Sequence, residues 1–171
     1  MDALLAEVTK QAINPALELL PSYLDSPKAR VMLLAIGLQE SRLKYRRQLG
    51  DGPARGLWQF ERGSKRSRGG VWGVYLHPVS MHLLHEFSRA RNCAFDPDQI
   101  YLQIEKDDVL AAGVARLLLL TDRPPLPAVD DEAGRVLHVD GDLAQTGQGE
   151  VPGRREHRGR RARRAHHLHE L

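Results

Sequence analysis

Apolar positions from Ala3 to Leu20 recur with a helical period, and Pro21 stops the pattern. Pro15 lies inside it and is expected to kink or divide the helix, because proline has no N–H to donate. Ser26-Pro27 marks the next start, with proline suited to a first helical turn. The spacing predicts a helix from Lys28 to Arg46. Its stretch Val31 to Leu38 is apolar all round, which predicts a central, buried helix. Gly50-Asp51-Gly52-Pro53 is a turn by its chemistry. Gly56 to Phe60 is short, apolar and aromatic, and reads as a strand, with Leu57 and Gln59 on one face and Trp58 and Phe60 on the other. A basic, glycine-containing loop follows from Arg62 to Gly70, and Val71 to Leu76 reads as a second short strand. A helix is predicted from Pro78 to Arg91, and another from Gln99 to Leu120, capped by Asp96-Pro97-Asp98. There is no internal repeat. The pattern predicts a mainly α fold: a helical domain over residues 1–129 with a small β-hairpin between helices.

The pattern ends near Val129. No Phe, Trp or Tyr occurs after Tyr101, and residues 130–171 hold eight arginines, no lysine and five of the eight histidines. A segment so poor in large apolar side chains cannot offset its ordering entropy, so this tail reads as mostly disordered. Leu117 to Pro127 still looks like ordinary protein, and the abrupt change near Val129 to Val136 reads as a shift of reading frame. A basic anchoring tail is the alternative.

Composition adds limits. The chain has 171 residues, enough for one domain with a useful core. Apolar residues make up 42% and charged residues 27%, ordinary for a globular protein. A formal charge of +3 favours anionic partners without choosing among them. The single cysteine, Cys93, excludes an internal disulfide and fits a reducing compartment. The N-terminus has no basic stretch, and Glu7 interrupts its apolar run, so no secretory signal is read there. Val31 to Leu38 is far too short to span a bilayer.

Candidate chemistry centres on Leu38-Gln39-Glu40-Ser41. In a helix continuing to Arg46, Glu40 neighbours Ile36, Gly37, Leu43 and Lys44, with Met32 two turns back on the same stripe. Glu40 then extends an apolar face, where loss of solvation is expected to raise its pKa. A general acid for glycosidic cleavage needs that property, a proton still held at neutral pH. Gly37 leaves room for a substrate or a nearby strand. Gln59 offers an amide that can both donate and accept hydrogen bonds.

A buried helix, Glu-Ser, a loop of roughly fifteen residues and then Gly56-Leu57-Trp58-Gln59 resembles the lytic transglycosylase and goose-type lysozyme pattern. Ala35 to Glu61 is similar in particular to small phage-encoded, transglycosylase-related proteins. Trp58 stands where the family usually has Met. The resemblance implies a lysozyme-like α+β fold and cleavage of the N-acetylmuramic acid–N-acetylglucosamine bond of peptidoglycan. It implies Glu40 as catalytic acid/base, Ser41 as its hydrogen-bonding neighbour and Gln59 as a substrate-positioning amide. Trp58 and Arg55 complete the candidate substrate-binding set, although Trp58 and Phe60 are more often core residues than sugar platforms. No cofactor or metal is called for. Synthesis in the cytoplasm with delivery by a virion or through a holin lesion is the matching expectation for location.

Other readings carry less. Arg42, Lys44, Arg46, Arg47, Arg55, Arg62, Lys65, Arg66 and Arg68 surround the proposed cleft in sequence and could form a basic rim for an anionic wall polymer. A non-catalytic virion or wall-binding protein of the same fold is the second reading. Nucleic-acid binding is the third, and it lacks the interleaved stacking aromatics of single-strand binders. His82-Leu83-Leu84-His85-Glu86 has the wrong order for a zinc protease motif. Asp51, Glu61, Glu105, Asp107 and Asp108 are the acidic residues near the motif, and none stands out as a second catalytic carboxylate.

Overall fold

The computed structural model describes residues 1–122 and 125–130. The expectations for the tail fall almost wholly outside these residues. The described chain is mainly helical, and no helix in it is long and apolar enough to cross a membrane.

The first helical stretch is α1 (Asp2–Val8), a π-helical turn (Thr9–Ile13) and α2 (Asn14–Leu19) in unbroken succession. The π turn sits directly ahead of Pro15, at the start of α2, where the missing N–H and the ring would otherwise disturb an α-helical ladder. A 3₁₀ turn (Ser22–Leu24) leads to α3 (Pro27–Ser41), whose N-cap Ser26 Oγ accepts from the Ala29 N–H at 3.2 Å. Then come α4 (Gly70–Leu76), α5 (Met81–Ala90), α6 (Pro97–Gln103) and α7 (Asp108–Thr121).

Several expectations are corrected. The small β-hairpin does not form: the described residues hold only two isolated antiparallel bridges, Arg47 with Arg55 and Arg55 with Phe60. Gly56 to Phe60 is a closed loop, in which Arg55 and Phe60 exchange backbone hydrogen bonds at 2.9 and 2.8 Å and Gln59 takes a left-handed φ of 47°. All of Leu57, Trp58, Gln59 and Phe60 are buried, so burial is not divided between two strand faces. The predicted strand Val71 to Leu76 is helix α4: Val71 and Val74, three apart, are both buried, and packing on α5, α6 and α7 overrides the β preference of valine.

The predicted last helix is two. α6 ends at Gln103, and α7 begins afresh with Asp107 as N-cap, its Oδ1 accepting from the Leu110 N–H at 2.9 Å. The central helix is α7 rather than α3. Every residue from Leu110 to Leu119 is buried, and α7 packs on the π turn, α2, α3, α4 and α5. Arg116 lies within this interior. Its Nε donates to the Leu24 carbonyl at 2.7 Å, and burial holds its guanidinium below the usual arginine range.

Helix α3 also stops short of the expected Arg46. Arg42 and Leu43 take left-handed φ values of 55° and 54°, and the chain folds back. Left-handed backbone costs non-glycine residues roughly 1–2 kcal/mol each. Burying the Leu43 side chain offsets about 1.5–3 kcal/mol of this. Leu43 also donates its N–H to the Gly37 carbonyl at 3.0 Å and to Ser41 Oγ at 3.1 Å. The notch at Gly37 is therefore filled from within: a Cβ there would lie 2.3 Å from Leu43 Cδ2 and 3.5 Å from Trp58 Nε1.

Gly56 anchors the following loop. It has φ +74°, and a Cβ would lie 2.8 Å from the Ile104 carbonyl oxygen, a backbone atom that cannot move aside cheaply. Gly56→Ala is expected to destabilise the fold by about 2–4 kcal/mol, through overpacking and left-handed strain together. A urea melt checks this, and a loss below about 0.5 kcal/mol would show that the loop relaxes freely.

Candidate functional site

The end of α3, the left-handed break and the 55–60 loop enclose an open cleft of about 410 Å³. Glu40, Ser41 and Gln59 all line it, so residues 18 positions apart meet in one site. Glu40 is half-buried in the last turn of α3, with Oε2 shielded from solvent. The apolar stripe behind it holds as far as Met32 and Ile36, both buried. Leu43, which sequence spacing placed on that stripe, has left the helix and packs against Gly37 instead.

Ser41 is the brace of the site. It is only 3% exposed, and its hydroxyl donates to the Leu57 carbonyl at 2.6 Å while accepting from the Leu43 N–H. The hydroxyl has one proton, so the longer approach to the Gly37 carbonyl at 3.2 Å is secondary. Gln59 braces the opposite wall. Its Nε2 donates to the carbonyls of Gly56 at 2.8 Å and Tyr45 at 3.1 Å, which commits both amide protons to backbone. The residue thus shapes the cleft before it touches any ligand.

Trp58 does not reach the cleft. It is 2% exposed, its Nε1 donating to the Leu33 carbonyl at 2.8 Å, so both Trp58 and Phe60 are core. Arg55 does not line it either. Its guanidinium pairs with Glu105 and lies 4.9 Å over the Tyr101 ring. The two candidate substrate contacts at Arg55 and Trp58 are thus corrected to supports of the loop.

Four of the nine residues of the expected basic rim, Arg46, Arg47, Arg55 and Arg62, are spent internally. Arg46 grips Asp108 through two bonds of 2.8 and 2.5 Å, Arg47 reaches Glu105 at 3.3 Å, and Arg62 holds Asp98 at 2.6 and 3.0 Å. Arg42, Lys44, Lys65, Arg66 and Arg68 are exposed and have no ion pair among the described residues, and of these Arg42 lines the cleft. None of the other acidic residues near the motif lines the cleft, and three of them are engaged elsewhere. Glu105 and Asp108 take these arginines, Asp107 caps α7 and binds Arg91 at 2.9 Å, and burial pushes the Glu61 carboxyl above the usual range. Glu40 is the single carboxylate among the residues lining the cleft.

Sequence reasoning missed Gln39, Tyr45, Gln48 and Leu49 as lining residues. Tyr45 and Leu49 are 44% and 72% exposed, and Gln48 accepts from the Ala54 N–H at 3.2 Å. A helix running to Arg46 would carry Tyr45 onward along its axis and start the following turn further away; with the left-handed break, Tyr45, Gln48 and Leu49 line the cleft beside Glu40. The available signal was weak: a short polar serine at a helix end that can compete for backbone bonds.

The lining chemistry is three carboxamides, a phenol, a serine hydroxyl, an exposed leucine, one carboxylate and one guanidinium. Such a set can bind hydroxyls and amides along an extended polar ligand, with apolar faces for its rings. Comparison with protein families, curated proteins and solved structures finds no match for this chain.

Ser41→Ala removes one side of two buried backbone contacts. The expected loss is about 1–3 kcal/mol, with faster amide exchange at Leu43. Unchanged exchange at Leu43 would show that the left-handed turn holds without the serine.

Proposed function

We propose that this chain is a peptidoglycan-cleaving enzyme of the lysozyme-like type, a glycosidase or lytic transglycosylase acting on the N-acetylmuramic acid–N-acetylglucosamine bond. The observation that carries the reading is the meeting of Glu40, Ser41 and Gln59 in one polar cleft with a single carboxylate. In this reading the Glu40 carboxyl donates its proton to the glycosidic oxygen as the bond breaks. Water or an internal muramyl hydroxyl then attacks the sugar carbon, and Glu40 takes up the proton released. One carboxylate serves both steps. A two-carboxylate inverting arrangement, which needs a second carboxyl about 6.5–9.5 Å away to activate water, finds no partner among the lining residues.

Ser41 and Gln59 act as positioning residues, fixing the two walls between which the bond must lie. The carboxamides of Gln39 and Gln48 and the Tyr45 hydroxyl are suited to acetamido and hydroxyl groups of amino sugars. Four of the nine nearby basic residues are held in internal ion pairs, and the other five are not interleaved with stacking aromatics in sequence, so nucleic-acid binding is the weaker reading. The place of action is the bacterial wall, with delivery through a virion or a holin lesion.

The test is release of muropeptides from purified sacculi. Glu40→Gln should lower the rate by about 10²–10⁴-fold, the usual share of a general acid. Retained binding to sacculi would assign the loss to chemistry. A parent that releases nothing, or a Glu40→Gln variant as fast as the parent, would overturn the assignment. Mass analysis of the product ends, anhydro-muramyl or reducing, separates internal attack from hydrolysis.

A further inference from the structure

Arg42 is the outlier of the cleft. It is the sole cation among the lining residues. The nearby arginines Arg46, Arg47, Arg55 and Arg62 each hold a carboxylate of this chain, whereas Arg42 has no ion pair among the described residues and is exposed. It also sits at a left-handed φ of 55°, a conformation that a long side chain adopts at some cost. That conformation has a consequence for the site. A continued α-helix would place residue 42 away from the face of Glu40, since positions two apart do not share a face. The break after Ser41 instead brings Glu40 and Arg42 to one cleft wall.

We infer that Arg42 is a specificity-determining residue that recognises a carboxylate carried by the glycan beside the scissile bond. The inference rests on the peptidoglycan reading of the same cleft. A guanidinium presents a planar fork of donors that matches a carboxylate in a two-bond arrangement. The other polar groups of the cleft wall are uncharged apart from Glu40, so they discriminate poorly between a neutral and an anionic amino-sugar polymer. Arg42 supplies that discrimination. The carboxylate has two possible sources in the polymer: the lactyl group of a muramyl residue freed of peptide, or an acidic residue of the attached peptide. Both present the same chemistry to the guanidinium.

Binding measurements test this in a Glu40→Gln background, so that no turnover intervenes. Three probes of equal sugar length are compared by calorimetry: neutral chito-oligosaccharide, peptide-free muramyl-glucosaminyl strand, and the same strand with its peptides. The Glu40→Gln protein should bind at least one anionic probe about three- to fivefold more tightly than the neutral one, the upper end of the scale of a single exposed charge pair. Which anionic probe shows the gain identifies the source of the carboxylate. Adding Arg42→Gln should bring all three probes within about twofold, and Arg42→Lys should restore part of the preference. The preference should also shrink as salt rises. Arg42→Gly, which suits the left-handed backbone, controls for folding and should likewise lose the preference with no loss of thermal stability. An equal preference with and without Arg42, or no preference in the parent background, overturns the inference. Failure of the enzyme reading would appear separately, as absence of muropeptide release by the parent.

Discussion

The hydrogen bond from the Ser41 hydroxyl to the Leu57 carbonyl is the contact on which the arrangement of this cleft depends. It joins the last turn of α3 to a loop 16 residues further on, and the same oxygen accepts from the Leu43 N–H. One small side chain thereby ends a helix, steadies two consecutive left-handed residues and fixes the height of the facing loop. Without the break, Tyr45, Gln48 and Leu49 would have no reason to turn toward Glu40. The strain of the break is offset locally, by Leu43 filling the notch at Gly37 and by the bonds that its N–H makes.

Behind the cleft the loop is held from the far side. Gly56 lies against the Ile104 carbonyl, the Tyr101 hydroxyl donates to the Pro53 carbonyl, and Arg47 and Arg55 share Glu105. Arg46 with Asp108 ties the same region to the first turn of α7. Individually such partly exposed pairs contribute little, on the order of 0–1 kcal/mol. Their value here is geometric: several short tethers from α6 and α7 fix a loop that has no strand ladder of its own. α7 can serve as the anchor because it is buried along most of its length.

The site that results is polar and sparsely charged. Glu105 and Asp108 are engaged with arginines and Asp107 caps a helix, and Glu40 is the single carboxylate among the residues lining the cleft. Chemistry of the proposed kind then rests on a single proton donor and on the precision with which the walls hold a sugar chain against it. This places unusual weight on residues such as Ser41 and Gln59, whose Oγ and Nε2 donate to backbone carbonyls.

Much of this was legible in the sequence, and for local reasons. Ser26-Pro27 and Asp96-Pro97 announce helix starts because cap and first-turn chemistry acts between near neighbours. The Glu-Ser pair and the glycine-led loop at Gly56 mark the site residues because each needs a particular side chain or its absence. Other features were decided only by tertiary contacts. Val71 to Leu76 has strand composition and is helical because Val71 and Val74 find the core three residues apart. Gly56 to Phe60 looks like a strand and is a loop, closed by the Arg55–Phe60 backbone bonds, with Gly56 set against the Ile104 carbonyl. α3 stops at Ser41 because distant Leu57 accepts its hydroxyl and because Leu43 finds a buried seat at Gly37. The sequence by itself determined the residue types of the site and most helix starts, which depend on neighbours along the chain. The tertiary structure decided which side chains face the cleft, since that follows from one left-handed break stabilised by contacts 16 residues away.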